Sequence, residues 1–320
     1  QLFGPSPAGF MVVQVLWHAM ASLGVQRLAR LLGASRHAAL AGGLIFALHP
    51  VAVAPVSMLM ARSDVVAACA LVWCAVGWVG WCRAGRCANL LLLAAALVLA
   101  LGSKEAAVIA PLIMGGWVLA DPASRARWRR AALPLAAAAG LTVAYLVIRS
   151  RVLASDAAGL ESVRTVLDPL RIWACLARYL QNLFPLWLTS GVRDVSPGEA
   201  ASGPFIAAGL LTLGVALALT LWAGIRRRWE IVWALCWIGM ALGPVLITAE
   251  IHVPAAGGKF PMADRWLYHA LAPSAVIWAL LLQHAEAAVG DRPQGRLARP
   301  AALVILGAAG PGQAALHPWP

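Results

Sequence analysis

With 320 residues, 62% of them hydrophobic and only 12% charged, and a mean hydropathy of +0.79, this chain is too apolar to be a soluble domain. A net charge of +12 would suggest nucleic acid in a soluble protein. Here most of the excess falls in short arginine clusters beside apolar segments, where membrane topology accounts for it and no nucleic-acid partner is expected. The six cysteines show neither a disulfide framework nor zinc-site spacing.

The apolar segments predict an all-α, polytopic integral membrane protein with about ten transmembrane helices. In chain order these cover about 10–32, 37–50, 64–82, 88–101, 105–120, 132–148, 204–224, 231–249, 266–284 and 300–310. The connections alternate in character. One set carries Arg27, Arg30 and Arg36, then Arg83 and Arg86, then Arg125, Arg127, Arg129 and Arg130, then Arg226 to Arg228, and finally Arg292, Arg296 and Arg299. The positive-inside rule assigns this set to the cytoplasm. The other set holds His49 through Asp64, Gly102 to Glu105, the stretch 149–203, and Glu250 to Arg265, and is expected to face outward.

Within 149–203 the run from Arg171 to Trp187 is amphipathic, with Ile172, Cys175, Leu176, Tyr179 and Leu180 at helical spacing and Arg171 and Arg178 elsewhere on the surface. A further crossing there would put Arg226 to Arg228 outside, so the run is read as an interfacial or re-entrant helix. Residues 1–312 are expected to form one polytopic domain and 313–320 an unstructured tail. The chain opens on Gln1, with no signal peptide ahead of the first span, and reads as an internal piece of something longer.

Ionisable groups at membrane depth are costly and mark function by default. On the outward set these are His49-Pro50 leading to Arg62-Ser63-Asp64, then Ser103-Lys104-Glu105, and Asp264-Arg265-Trp266-Leu267-Tyr268. Each has a plain alternative, as charges that end a helix or keep a turn wet. His18 and His269 read as helix-packing hydrogen-bond groups. Together, Arg62, Lys104 and Arg265 suit a phosphate or pyrophosphate headgroup. Asp64, Glu105 and Asp264 can orient those cations, bind a divalent metal or touch sugar hydroxyls.

These motifs, with Phe3-Gly4-Pro5, Leu48-His49-Pro50 and Arg178-Tyr179-Leu180…Leu183-Phe184-Pro185-Leu186, resemble a known family. In order and approximate spacing they are similar to the membrane half of the transmembrane-and-tetratricopeptide-repeat O-mannosyltransferases and their bacterial relatives, within the GT-C glycosyltransferase superfamily. The resemblance covers about 1–285. It implies a GT-C-like fold that transfers a sugar, mannose in the namesake enzymes, from a polyprenyl-phosphate donor to a protein or glycan hydroxyl acceptor on the non-cytoplasmic face. It gives donor-phosphate roles to Lys104, Arg265 and Arg62, with Glu105, Asp264, Asp64, His49 and Tyr268 in support. It places the acidic catalytic base, with an N-terminal span and first external loop, upstream of Gln1, and a repeat domain downstream.

The chain departs from the family's His-Pro-x-His-x-Glu pattern, because Ala52 and Ala54 stand where the second histidine and the glutamate are usual. That departure keeps open a non-catalytic membrane scaffold. A lipid-linked saccharide transporter is the other alternative, disfavoured because the unusual charges sit at one side only. No cofactor is certain from the residues, and a divalent metal stays open. Alanine- and arginine-rich, lysine-poor usage suggests a GC-rich bacterial genome; with it the resemblance implies a bacterial inner membrane with the active face periplasmic, or the endoplasmic reticulum membrane in a eukaryote.

Overall fold

The computed structural model describes residues 7–153, 169–183, 194–252 and 262–289. The expected span at 300–310, the tail, the polar stretch 154–168, the Phe184-Pro185 motif and Phe3-Gly4-Pro5 lie outside the described residues.

The described chain is a helical bundle. Helices α1 (Pro7–Leu31) and α2 (Arg36–Leu48) lead into a 3₁₀ turn (Pro50–Ala52) and the short α3 (Val53–Ser57). A second 3₁₀ turn (Leu59–Ala61) opens α4 (Arg62–Ala84), followed by α5 (Cys87–Ser103). A third 3₁₀ segment (Glu105–Ile109) continues into α6 (Ala110–Ala120), then α7 (Pro122–Ala126) and α8 (Trp128–Leu153). The remainder is α9 (Pro169–Leu183), α10 (Pro197–Ala200), α11 (Gly203–Ile225), α12 (Trp229–His252) and α13 (Asp264–Val289).

Six of these helices, α1, α4, α8, α11, α12 and α13, are long and apolar enough to cross a membrane. The pair formed by α2 and the Pro50–Ser57 segment adds a seventh if it is one span bent by 49°. Its break is dictated locally, since Pro50 cannot donate to the preceding turn and His49 adopts an extended backbone (φ −66°, ψ 131°). The helices at Cys87–Ser103 and Glu105–Ala120 are apolar but shorter. About ten crossings were expected from hydropathy; among the described residues six to seven meet the length and composition of a span, because the α5–α6 hairpin falls short of a full bilayer thickness.

Burial separates a core from a lipid-facing rim. Helix α4 is the centre, with Val65, Cys69, Val72, Trp78 and Val79 all buried among its neighbours. The outer surfaces of α8 and α11 instead present Val143, Ile148, Leu210, Leu211 and Leu217, as lipid contact requires. Small residues set the closest approaches. A Cβ on Gly77 would lie 2.8 Å from both the Asn89 carbonyl oxygen and the Leu93 nitrogen of α5. Those are backbone atoms that cannot swing aside. Gly77→Ala is therefore expected to separate α4 from α5 and cost ~1–3 kcal/mol, read as a lowered unfolding midpoint of the purified chain in detergent.

Helix α9 corrects one expectation. Arg171 and Arg178 were expected on the surface, yet Arg171 is fully buried and donates to the Leu246 carbonyl at 3.1 Å. Arg178 donates to Glu199 at 2.6 Å and stacks over the Phe205 ring at 5.2 Å. The reason is that α9 packs into the bundle, with Trp173 and Ala177 seated against Gly209 of α11. Its charges find partners inside the protein instead of water.

Candidate functional site

The alternation of chain direction brings the starts of α1, α4 and α13 and the ends of α2 and α5 to one end of the bundle. The arginine-rich turns lie at the other.

Asp64 occupies the first turn of α4, where a carboxylate favours the helix N-terminus, and it is buried. Its Oδ1 accepts from the Lys104 ammonium, which reaches it from the break between α5 and the following 3₁₀ segment. Lys104 has an extended backbone there (φ −157°, ψ 144°), so the break turns its side chain out of both helical paths. His269 of α13 completes the cluster, with its Nε2 3.6 Å from the same Asp64 oxygen. Residues from α4, from α13 and from the break after α5 thus share one buried point, with side-chain exposures of 3% for Asp64, 20% for Lys104 and 4% for His269.

Two guanidinium groups belong to the same end. Arg62 precedes Asp64 by two residues and sits over the Phe10 ring at 4.8 Å. Arg265 precedes His269 by four residues, so both share one face of α13, and it lies beside the Trp266 ring at 5.8 Å. The Nε of each is buried without a hydrogen-bond partner. Neither forms an ion pair among the described residues.

The remaining expected residues are placed separately. Tyr268 bonds to His18 Nδ1 at 2.6 Å, while His18 Nε2 bonds to the Ala47 carbonyl at 3.0 Å. This ties α13, α1 and α2 together beneath the charged cluster, and the Phe46 ring stacks on His18 at 5.2 Å. Tyr268→Phe should leave a buried imidazole nitrogen unpaired and cost ~1–3 kcal/mol, measurable as a shift in unfolding midpoint. Glu105 faces Arg149 at 3.7 Å, and both are exposed, so it lies on the rim. His49 accepts from the Val51 nitrogen at 3.2 Å through Nδ1, while its Nε2 has no partner. Asp264 is the first residue of α13.

His49 and His18 also line a cavity of ≈ 460 Å³ whose other walls are mostly apolar, including Met11, Val15, Val53 and Val56. Gln14 stabilises that wall by donating to the Pro55 and Met58 carbonyls at 2.5 and 2.8 Å. An apolar cavity at the charged end has the character needed for a lipid chain.

His269 is the residue that sequence reading undervalued. A lone histidine in an apolar span carries no signal of its own, but its spacing of four from Arg265 could have raised it. As for a metal, no group of three His, Cys, Asp or Glu side chains converges among the described residues. Within this cluster Asp64 accepts from the Lys104 ammonium. What it can do chemically is hold fixed positive charge at a point shielded from water, where charge acts strongly on a bound anion.

No protein-family model and no curated protein matches the chain. Among solved structures it is similar to the archaeal oligosaccharyltransferase AglB from Archaeoglobus fulgidus, determined in complex with an inhibitory peptide and a dolichol-phosphate. The similarity has 16% sequence identity and a TM-score of 0.48, and covers 94% of this chain and 43% of that one. The chain therefore spans less than half the length of that structure.

Proposed function

We propose that this chain is the membrane core of a glycosyltransferase that takes a sugar from a polyprenyl-phosphate donor and passes it to a hydroxyl acceptor at the non-cytoplasmic face. The single observation that carries this reading is the pairing of a buried Lys104–Asp64 cluster with two guanidinium groups, Arg62 and Arg265, whose Nε donors are buried and unpartnered at the same helix end. Two guanidinium groups without an ion-pair partner among the described residues, at the same end of the bundle as an apolar cavity, suit a lipid phosphate, and the motif resemblance supplies the reaction class.

In that reaction the bond between the anomeric carbon and the donor phosphate oxygen breaks, and the acceptor oxygen forms a new bond to the same carbon. The acceptor proton passes to a base, and polyprenyl phosphate leaves with the electron pair. Arg62 and Arg265 would bind the phosphate as its negative charge grows, which is the electrostatic contribution such enzymes rely on. Lys104 adds charge while Asp64 fixes its position. Asp64 is tied to that ammonium, so it serves as a positioning residue and is not assigned as the base.

The test is transfer from a radiolabelled polyprenyl-phosphate sugar in membranes containing this chain extended through its upstream sequence. Sugar appearing on an acceptor supports the reading. A well-folded extended chain that neither binds nor turns over a panel of such donors overturns it. The scaffold reading then gains, favoured by Ala52 and Ala54 in place of the family's histidine and glutamate.

A further inference from the structure

The opposite end of the bundle carries a second cavity, of ≈ 540 Å³, that the proposed reaction does not use. Its walls come from three separate connections: Arg83 at the end of α4, Asp121 and Arg125 around α7, and Arg227 and Glu230 at the turn from α11 to α12. Trp117 and Trp229 complete it.

Generic positive-inside charge does not account for this arrangement. Many arginines at this end have local employment: Arg228 pairs with Glu230 at 3.8 Å, Arg127 donates to the Ala123 and Arg83 carbonyls, and Arg130 packs against Gly85. The three arginines of the cavity form no ion pair among the described residues. The two acids in its wall are engaged elsewhere, since Asp121 accepts from the Ser124 nitrogen and hydroxyl at 2.8 and 2.5 Å and Glu230 faces Arg228. Asp121 keeps its charge in the wall, yet with Glu230 paired to Arg228 the three arginines leave the cavity with a net excess of positive charge.

Trp117 gives the cavity a rigid aromatic wall. It is 2% exposed, it lines the cavity, and its indole Nε1 has no hydrogen-bond partner. The Arg83 guanidinium stacks on its ring at 5.4 Å, which holds that cation at the wall. Arg227 is delivered by a left-handed backbone (φ 54°), a conformation that favours glycine, yet a long cation stands there.

We infer that this cavity binds the phosphate of an anionic phospholipid headgroup from the leaflet at the arginine-rich end, with Arg83, Arg125 and Arg227 as its cationic donors. Forked guanidinium donors match phosphate oxygens, and basic pockets between helices on this side of a membrane take such headgroups. A phospholipid is favoured over a soluble phosphate because exposed apolar side chains near these turns offer a surface for acyl chains. Leu119, Leu133 and Ile225 are 72%, 78% and 80% exposed close to the ends of α6, α8 and α11.

The test is native mass spectrometry of the full chain in detergent, titrated with phosphatidylglycerol, phosphatidylcholine or inorganic phosphate. Phosphatidylglycerol is expected to bind with at least about tenfold preference over phosphatidylcholine, and Arg83→Gln with Arg125→Gln should remove that preference. Arg86→Gln with Arg129→Gln removes the same charge outside the cavity and should leave the preference intact. Equal loss in both arginine pairs would reduce the effect to bulk charge and overturn the site, as would binding of phosphatidylglycerol and phosphatidylcholine alike. Binding of inorganic phosphate as tightly as phosphatidylglycerol would overturn the lipid as its occupant.

Discussion

Arg265→Ala is expected to lower sugar transfer by about 10²–10³-fold while leaving the unfolding midpoint of the chain within error. The two halves of that expectation have different sources. Stability is spared because Arg265 makes no ion pair among the described residues and its Nε is already without a partner. Truncation therefore strands no acid inside the protein. Transfer is lost because a fixed guanidinium beside the leaving phosphate acts mainly where negative charge develops, and water brought in by the smaller side chain screens poorly in its place. Arg62→Ala should behave in the same direction, with some loss of packing against Phe10. Lysine at position 265 restores charge but not the two-pronged fork, so partial recovery is expected. The measurement is initial transfer rate at saturating acceptor, paired with thermal unfolding in detergent. A rate unchanged in Arg265→Ala would remove this residue from donor binding.

Much of the bundle was legible because hydropathy reports directly on lipid contact. The starts and ends of α4, α11, α12 and α13 lie within a few residues of the apolar boundaries, and the arginine clusters mark one end. Span counting was less secure where helices are broken. His49-Pro50 splits one segment, and the α5–α6 hairpin is too short to meet a full-length criterion, although its hydropathy is high. Amphipathic periodicity also failed in an instructive way on α9. It assumes that charged positions mark the wet face, but Arg171 and Arg178 are matched by a carbonyl of α12 and a carboxylate of α10. A sequence shows the arginine and not its partner.

The site followed the same division. Asp64 and Lys104 could be nominated from charge at membrane depth, whereas their pairing depends on how α4 and α5 meet. Glu105, adjacent to Lys104 in sequence, points to Arg149 instead, because consecutive residues leave a helical start in different directions. His18 and His269 had the same appearance in sequence, each a lone histidine in an apolar run. The structure gives the first a structural hydrogen bond to Tyr268 and brings the second to Asp64. Only the positions of their neighbours distinguish them.

Asp64→Ala is expected to produce the largest loss of stability at the site, ~3–5 kcal/mol, because it leaves the Lys104 ammonium largely buried with no counter-charge. The Lys104 side chain is only 20% exposed, so water cannot fully replace the lost carboxylate. Asp64→Asn keeps the shape and an accepting oxygen, and should cost less. The informative variant is the double change Asp64→Leu with Lys104→Met. Replacing both members of a buried pair by apolar residues of similar size removes two desolvation penalties together, so most of the stability should return. Transfer should not return, since the charge that Lys104 contributes to the phosphate is gone. Unfolding midpoints and transfer rates of the single and double variants separate the two roles. A double variant that recovers both would make the pair purely structural, whereas recovered folding with transfer still absent assigns the pair to chemistry.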